Sequence, residues 1–203
     1  MADILIDNQV APSTPAAGKS VIWIDSTTKK VVQTDDGGVR HGVLSRNSST
    51  AAQGLLATTE VYLTNSGLLV PSFGLDAGTT MVWYISLSKT AAGVAAPVWT
   101  FRIGTTQTTS DTSRLALTSV GIQGAVLSDG ILTAMLHVRT GGASGVLAGS
   151  GGSGNSNFGG GGTGASSAVD LTSTIAGQYV GLTVTTGTSA AWTVNAVSAV
   201  MYN

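Results

Sequence analysis

Cysteine is absent from the 203 residues, and that removes disulfides, thiolate metal sites and cysteine nucleophiles together. Charge is nearly as scarce: 9 % of residues are charged, against about 25 % in an ordinary soluble domain. The surface must therefore be rich in hydroxyls and amides, or be covered by partners. Net charge is −1 with no block of like charges, so the electrostatic footprint of a nucleic-acid binder is missing and no nucleic-acid partner is expected. No apolar run reaches the length of a membrane-spanning helix, and the first ten residues lack the basic and apolar regions of a secretory leader. The expectation is a soluble chain that begins near Met1, is not exported by a cleaved signal and has no membrane partner.

The groups that carry most enzyme chemistry are also thin. Histidine occurs only at 41 and 137, each beside an arginine in a β-rich run, where a solvated or interface role is the ordinary one. Glu60 is the single glutamate, and Asp35 and Asp36 precede Gly37 and Gly38 as turn residues do. There is neither a G-x-S-x-G elbow nor an H-E-x-x-H pair. AAGKS (16–20) resembles the end of a phosphate-binding loop, but Ser13 stands where the first glycine belongs and a strand follows instead of a helix. The run around Asp111 has many hydroxyls but one carboxylate, too few for a calcium loop. No catalytic residue, cofactor or metal is expected, and the chain is not expected to be an enzyme.

What is abundant is period-two alternation. In 81–88, Trp83, Ile85 and Leu87 share one face; in 97–104, Trp99, Phe101 and Ile103 do. In 131–140 the set is Leu132, Ala134, Leu136 and Val138; in 179–186 it is Val180, Leu182 and Val184; in 191–202 it is Trp192, Val194, Ala196 and Val200. Five runs with one apolar face each predict antiparallel sheets packed face to face. Residues 60–64, 114–118 and 169–174 are further candidate strands. The tryptophans sit on apolar strand faces, so core or interface packing is expected of them rather than a sugar platform. Irregular spacing and long connections favour an all-β, antiparallel jelly-roll β-sandwich over an immunoglobulin-like module.

The N-terminal part reads differently. Pro12 and Pro15 enforce an extended arm over residues 1–19. SVIWID (20–25) and KVVQT (30–34) then form a β-hairpin, and residues 45–57 read as a connector. A lone hairpin is barely stable, so Val21, Trp23, Val31 and Val32 are expected to pack on another chain or on the main domain. Ile4 and Ile6 of the arm join them as candidate anchoring or oligomer contacts. The expected organisation is 1–50 as arm and hairpin anchor, and 51–203 as the sandwich.

Between two strand-like runs lies the Gly-rich stretch 141–167, read as a long loop without a core of its own. Its distinctive side chains, Asn155, Asn157 and Phe158, are the candidate receptor or partner contacts. The hydroxyl-rich 104–113 stretch is a second, lesser candidate.

Residues 11–39 resemble the module of proline, Ala-Gly-Lys, strand, turn, strand and Asp-Gly that opens fibre and head-surface proteins of tailed bacteriophages. Residues 100–117, followed by 136–151, resemble a jelly-roll domain of the same class of virion proteins. The resemblance implies a virion structural protein at the particle surface, synthesised in the host bacterial cytoplasm and assembled as a homotrimer. A capsid decoration or head-fibre subunit would dock through its arm on the major capsid protein, and loss of residues 1–40 would leave a folded knob. A tail-fibre subunit or adhesin, contacting tail components and binding a host surface glycan through the Gly-rich loop, is the alternative. No functional residue transfers from the resemblance.

Overall fold

The computed structural model describes residues 8–55, 59–119, 124–153, 155, 158, 162–187 and 191–203. Strands with one apolar face pair over the five alternating runs, and three sheets result. In 191–202 a bulge between Val194 and Ala196 resets the alternation, so Val197, Ala199 and Met201 continue the inner face and Ala196 and Val200 turn outward. The largest sheet has seven strands. At its centre, β9 (Thr80–Lys89) lies antiparallel between β12 (Ser128–Thr140) and β16 (Trp192–Tyr202). Beyond β12 come β13 (Val146–Ser153) and β14 (Thr163–Ala165); beyond β16 come β5 (Val43–Ser49) and β6 (Gln53–Leu55). The five-stranded sheet runs from β11 (Thr112–Thr118) through β10 (Val98–Gly104) to β15 (Tyr179–Thr185), which also pairs β7 (Val61–Tyr62) and β8 (Leu68–Leu69).

The inner faces of these two sheets supply the core. Trp83, Ile85 and Leu87 of one meet Phe101, Leu182 and Val184 of the other, all buried. Trp83 packs against Phe101 with ring centroids 5.3 Å apart. All four tryptophans are buried, and the indole N–H of Trp83 donates to the Ser66 carbonyl at 2.7 Å. The fold is thus an all-β antiparallel sandwich of the jelly-roll kind, with an N-terminal arm and hairpin.

The third sheet holds β1 (Asn8–Gln9), β2 (Val21–Asp25), β3 (Val31–Thr34) and β4 (Arg40–His41). The hairpin pairs Trp23 with Val32, and β1 adds a short parallel edge. This sheet is not free-standing. Trp23 and Val32 belong to the same continuous core as the sandwich, and Gly42 and Asn203 exchange backbone hydrogen bonds. Removing residues 1–40 would therefore open the core instead of leaving an intact knob.

Three sequence expectations need correction. The expected connector, 45–57, is strand over most of its described residues, 45–55: β5 and β6 form the edge of the seven-stranded sheet, so the pairing does not divide at residue 50. Their inward positions are polar and hide the alternation: the Asn47 amide donates to the Gly67 carbonyl, and the Ser45 hydroxyl accepts from the Leu69 amide. Residues 169–174 contribute a single bridge, Val169 to Gly145, followed by a 3-10 turn at Ser173–Ile175. The stretch 141–167 is not one long loop, since β13 and β14 fall inside it.

The physical reason for that last difference is packing. A Cβ placed on Gly149 would lie 2.6 Å from Leu115 Cδ2 and 3.3 Å from Phe101 Cε2, and one on Gly164 would lie 3.2 Å from both Leu115 and Leu117. Glycine thins one sheet so that the leucines of β11 can fill the space where the sandwich closes. A strand without side chains is legible only from the residues that press on it.

Candidate functional site

Two surfaces stand out. The first is the outer face of the seven-stranded sheet. Alternation turns Ile131, Thr133, Met135 and His137 of β12 outward, beside Thr80, Val82, Tyr84 and Ser86 of β9. The register then sets Val82 between Met135 and Val200, and Tyr84 between Thr133 and Ser198. Among the described residues, the outward positions of these strands from 131 to 137, 80 to 88 and 193 to 202 carry no Asp, Glu, Lys or Arg. Charge returns only at the margins, with Asp129, Arg139 and Arg46. Ile131 is 60 % exposed and Tyr84 51 %, with Met135 and Tyr202 also exposed. A shallow hollow of about 240 Å³ lies between Tyr84, Ile131, Ala196 and Ser198. A solvated sheet face ordinarily alternates polar residues outward; this one presents apolar and hydroxyl groups, the chemistry of a surface made for contact.

The second surface is polar and belongs to the five-stranded sheet. Arg102 of β10 makes a bidentate pair with Glu60, at 3.0 and 2.6 Å, and a further bond at 2.5 Å to the Asp111 carbonyl. The Thr183 hydroxyl donates to Glu60 as well. Burial works to raise the Glu60 pKa, but the hydrogen bonds from Arg102 and Thr183 and the guanidinium charge together hold it below the ordinary carboxylate value. Tyr62 lies over Gly181, and its phenol is pushed well above its usual value, first by burial and then by the charge of Asp111.

Beside this network, where β10 passes into the 105–111 loop, opens a cleft of about 390 Å³. Thr105, Thr106, Ser110, Asp111, Thr112, Arg114 and Gln178 line it with polar groups. Asp111 is buried and builds the loop: its carboxylate accepts from the Thr106 amide at 3.1 Å, the Thr106 hydroxyl at 2.6 Å and the Gln107 amide at 2.9 Å. The sequence marked the hydroxyl-rich 104–113 stretch as a lesser candidate contact, and the cleft opens beside it; Arg114, an isolated cation, carried no signal of its own.

The residues singled out from the sequence are scattered. Ile4, Ile6 and Asn157 lie outside the described residues. Trp23 is 1 % exposed, donates to the Thr34 hydroxyl at 3.0 Å and meets Phe73 edge-on at 5.9 Å, so it is core and not an oligomer contact. Val21 is partly buried against that core, whereas Val31 is 57 % exposed because it faces away from it. Phe158 is buried against Trp192, centroids 5.6 Å apart, and thus offers no side chain to a receptor. The Asn155 amide donates to the Asp129 carbonyl of its own chain at 3.1 Å.

The two histidines stand apart. His137 Nδ1 lies 3.0 Å from the Thr80 hydroxyl, and His41 Nε2 lies 3.0 Å from the Asp35 carboxylate on an exposed turn. Among the described residues no three of His, Asp and Glu gather as metal ligands, and no helix is long and apolar enough to cross a membrane.

No family model matches the chain, and no curated protein matches it in sequence. Among solved structures it is similar to a lectin from Bauhinia forficata in complex with GalNAc, with 12 % identity and a TM-score of 0.36, over 92 % of this chain and 93 % of that one.

Proposed function

We propose that this chain is a non-enzymatic structural subunit of a tailed-bacteriophage virion, a homotrimeric decoration or head-fibre protein on the capsid surface. The observation that carries the assembly part is the uncharged outer face of the seven-stranded sheet, with Tyr84, Ile131 and Met135 exposed side by side. Left in water, such a face costs solubility; closed against a neighbour, it becomes the apolar centre of an interface with Arg46, Asp129 and Arg139 at its rim. The virion part rests on the resemblance of residues 11–39, 100–117 and 136–151 to phage surface proteins. Attachment through the N-terminal segment fits a third sheet that is bound tightly to the sandwich and can transmit load to it.

Sedimentation of the full chain tests the reading. The wild type is expected to run as a trimer, and Ile131→Lys or Tyr84→Glu to run as a folded monomer with an unchanged far-ultraviolet circular dichroism spectrum, since both positions are exposed in the single chain. A wild-type monomer at high concentration would defeat the proposal. Locating the chain in intact particles tests the rest: many copies over the shell support decoration, and a few copies at the tail support the tail-fibre alternative.

A further inference from the structure

We infer that the cleft between the 105–111 loop and the start of β11 binds an acidic saccharide, a sugar unit carrying a carboxylate. The inference is independent of the assembly reading, because it concerns the other sheet.

The cation comes first. Arg114 lines the cleft, its Nε is buried without a hydrogen-bond partner, and it forms no ion pair among the described residues. Arg102, one strand away, spends its guanidinium on Glu60 and the Asp111 carbonyl. No hydrogen bond or ion pair holds the Arg114 guanidinium among the described residues, and a guanidinium pairs best with a planar carboxylate. Asp111 does not compete for the ligand, since its oxygens are occupied by the loop they organise.

The wall comes second. Thr106, Thr108 and Ser110 form a ring of hydroxyls at 2.6 to 3.2 Å from one another on the exposed rim. Hydroxyls both donate and accept, as sugar hydroxyls do. Gln178 adds an amide. Arg114 is the one cation of the lining, and the Asp111 carboxylate beside it is already held by three donors of the loop, so the pairing left open is for a polyhydroxylated ligand with a single negative charge. The volume, about 390 Å³, lies within the range of small-ligand clefts, about 300–1,000 Å³.

Preorganisation comes third. Gln107 holds a left-handed φ of 53°, and the carboxylate of Asp111 packs so closely on Gly104 that a Cβ there would collide with it. Such a conformation persists only where the surroundings enforce it, so the wall is rigid before any ligand arrives.

Calorimetric titration of the full chain with a glucuronate-containing trisaccharide, a neutral trisaccharide of the same linkages and sodium acetate tests the site. The acidic sugar is expected to bind, the neutral one about ten- to hundredfold more weakly. Arg114→Gln is expected to bring the acidic sugar down to the neutral level, and Ser110→Phe, at an exposed rim position, to abolish binding of both. Should Arg114→Gln fail to fold, Ser110→Phe decides. Absence of binding by the acidic sugar, binding indifferent to both variants, or acetate as tight as the trisaccharide would each overturn the inference.

Discussion

Asp25 and Ser72, 47 positions apart, join the N-terminal sheet to the sandwich: Asp25 Oδ2 accepts from the Ser72 hydroxyl at 2.5 Å and from the Ser72 amide at 3.0 Å. The other carboxylate oxygen accepts from the Thr27 and Thr28 amides and closes the turn between β2 and β3. One buried side chain therefore shapes the hairpin and fastens it. Nearby, Arg40 pairs with Asp76 at 2.6 Å and lies over the Phe73 ring at 4.4 Å. An element that would be marginal alone is stabilised by what it docks on.

Loss of that fastening has a measurable cost. Ser72→Ala removes one hydrogen bond to a charged acceptor and is expected to lower unfolding free energy by about 1.5–3 kcal/mol in urea melts. Asp25→Ala is expected to cost more, because it also strands the Thr27 and Thr28 donors. If proteolysis of Asp25→Ala releases residues 8–42 while the rest stays folded, the shared core has been overstated.

Acid is expected to destabilise the fold through the same carboxylate and through Glu60. Burial acts to raise the Asp25 pKa, but the bonds from Ser72 and Thr28 prevail and hold it below the ordinary 3.8; Glu60 is likewise held below 4.5. As pH falls, the unfolded chain takes up these protons first, so the stability present above those values is lost as pH drops through the lowered folded ones. The urea midpoint should stay level down to about pH 5 and decline below it. Glu60→Gln should make the decline shallower; a midpoint unchanged into strong acid would contradict the assignment.

The Gly-rich stretch yields a paired test. Gly149→Val places methyls against Leu115 and Phe101 and is expected to cost about 1–3 kcal/mol or more, lowering the melting temperature. Gly152→Ala, on the same strand with nothing within 4 Å of its Cβ position, is expected to stay within about 0.5 kcal/mol of wild type. Equal effects would mean that β13 does not press on β11.

Phe158 tests whether the far end of that stretch belongs to the core. Its ring packs on Trp192 and over Gly130, and Phe158→Ala is expected to cost about 3–5 kcal/mol and to red-shift tryptophan emission. A neutral substitution would return Phe158 to the surface role that the sequence suggested.

The sandwich was legible in the sequence because one-sided burial writes itself as alternation: Trp83, Ile85 and Leu87 declare their sheet without reference to any partner. The hairpin was legible for the same reason. β5 was not, since its inward Ser45, Asn47 and Ser49 are polar; nor was β13, since glycine has no side chain with which to declare a face. Phe158 stood out in its poor surroundings as a contact residue, yet the most apolar group of such a stretch is also the one that the core recruits.

Composition and periodicity by themselves determined an all-β chain with little charge, no thiol chemistry and five strong strands, because those properties are local and additive along the chain. Only the tertiary structure decided that the N-terminal sheet shares the core, that the Gly-rich stretch is a wall, and that Arg114 faces a hydroxyl-lined cleft. Each depends on pairs such as Asp25 with Ser72, or Leu115 with Gly149, whose members are distant in sequence and meet only when the sheets close.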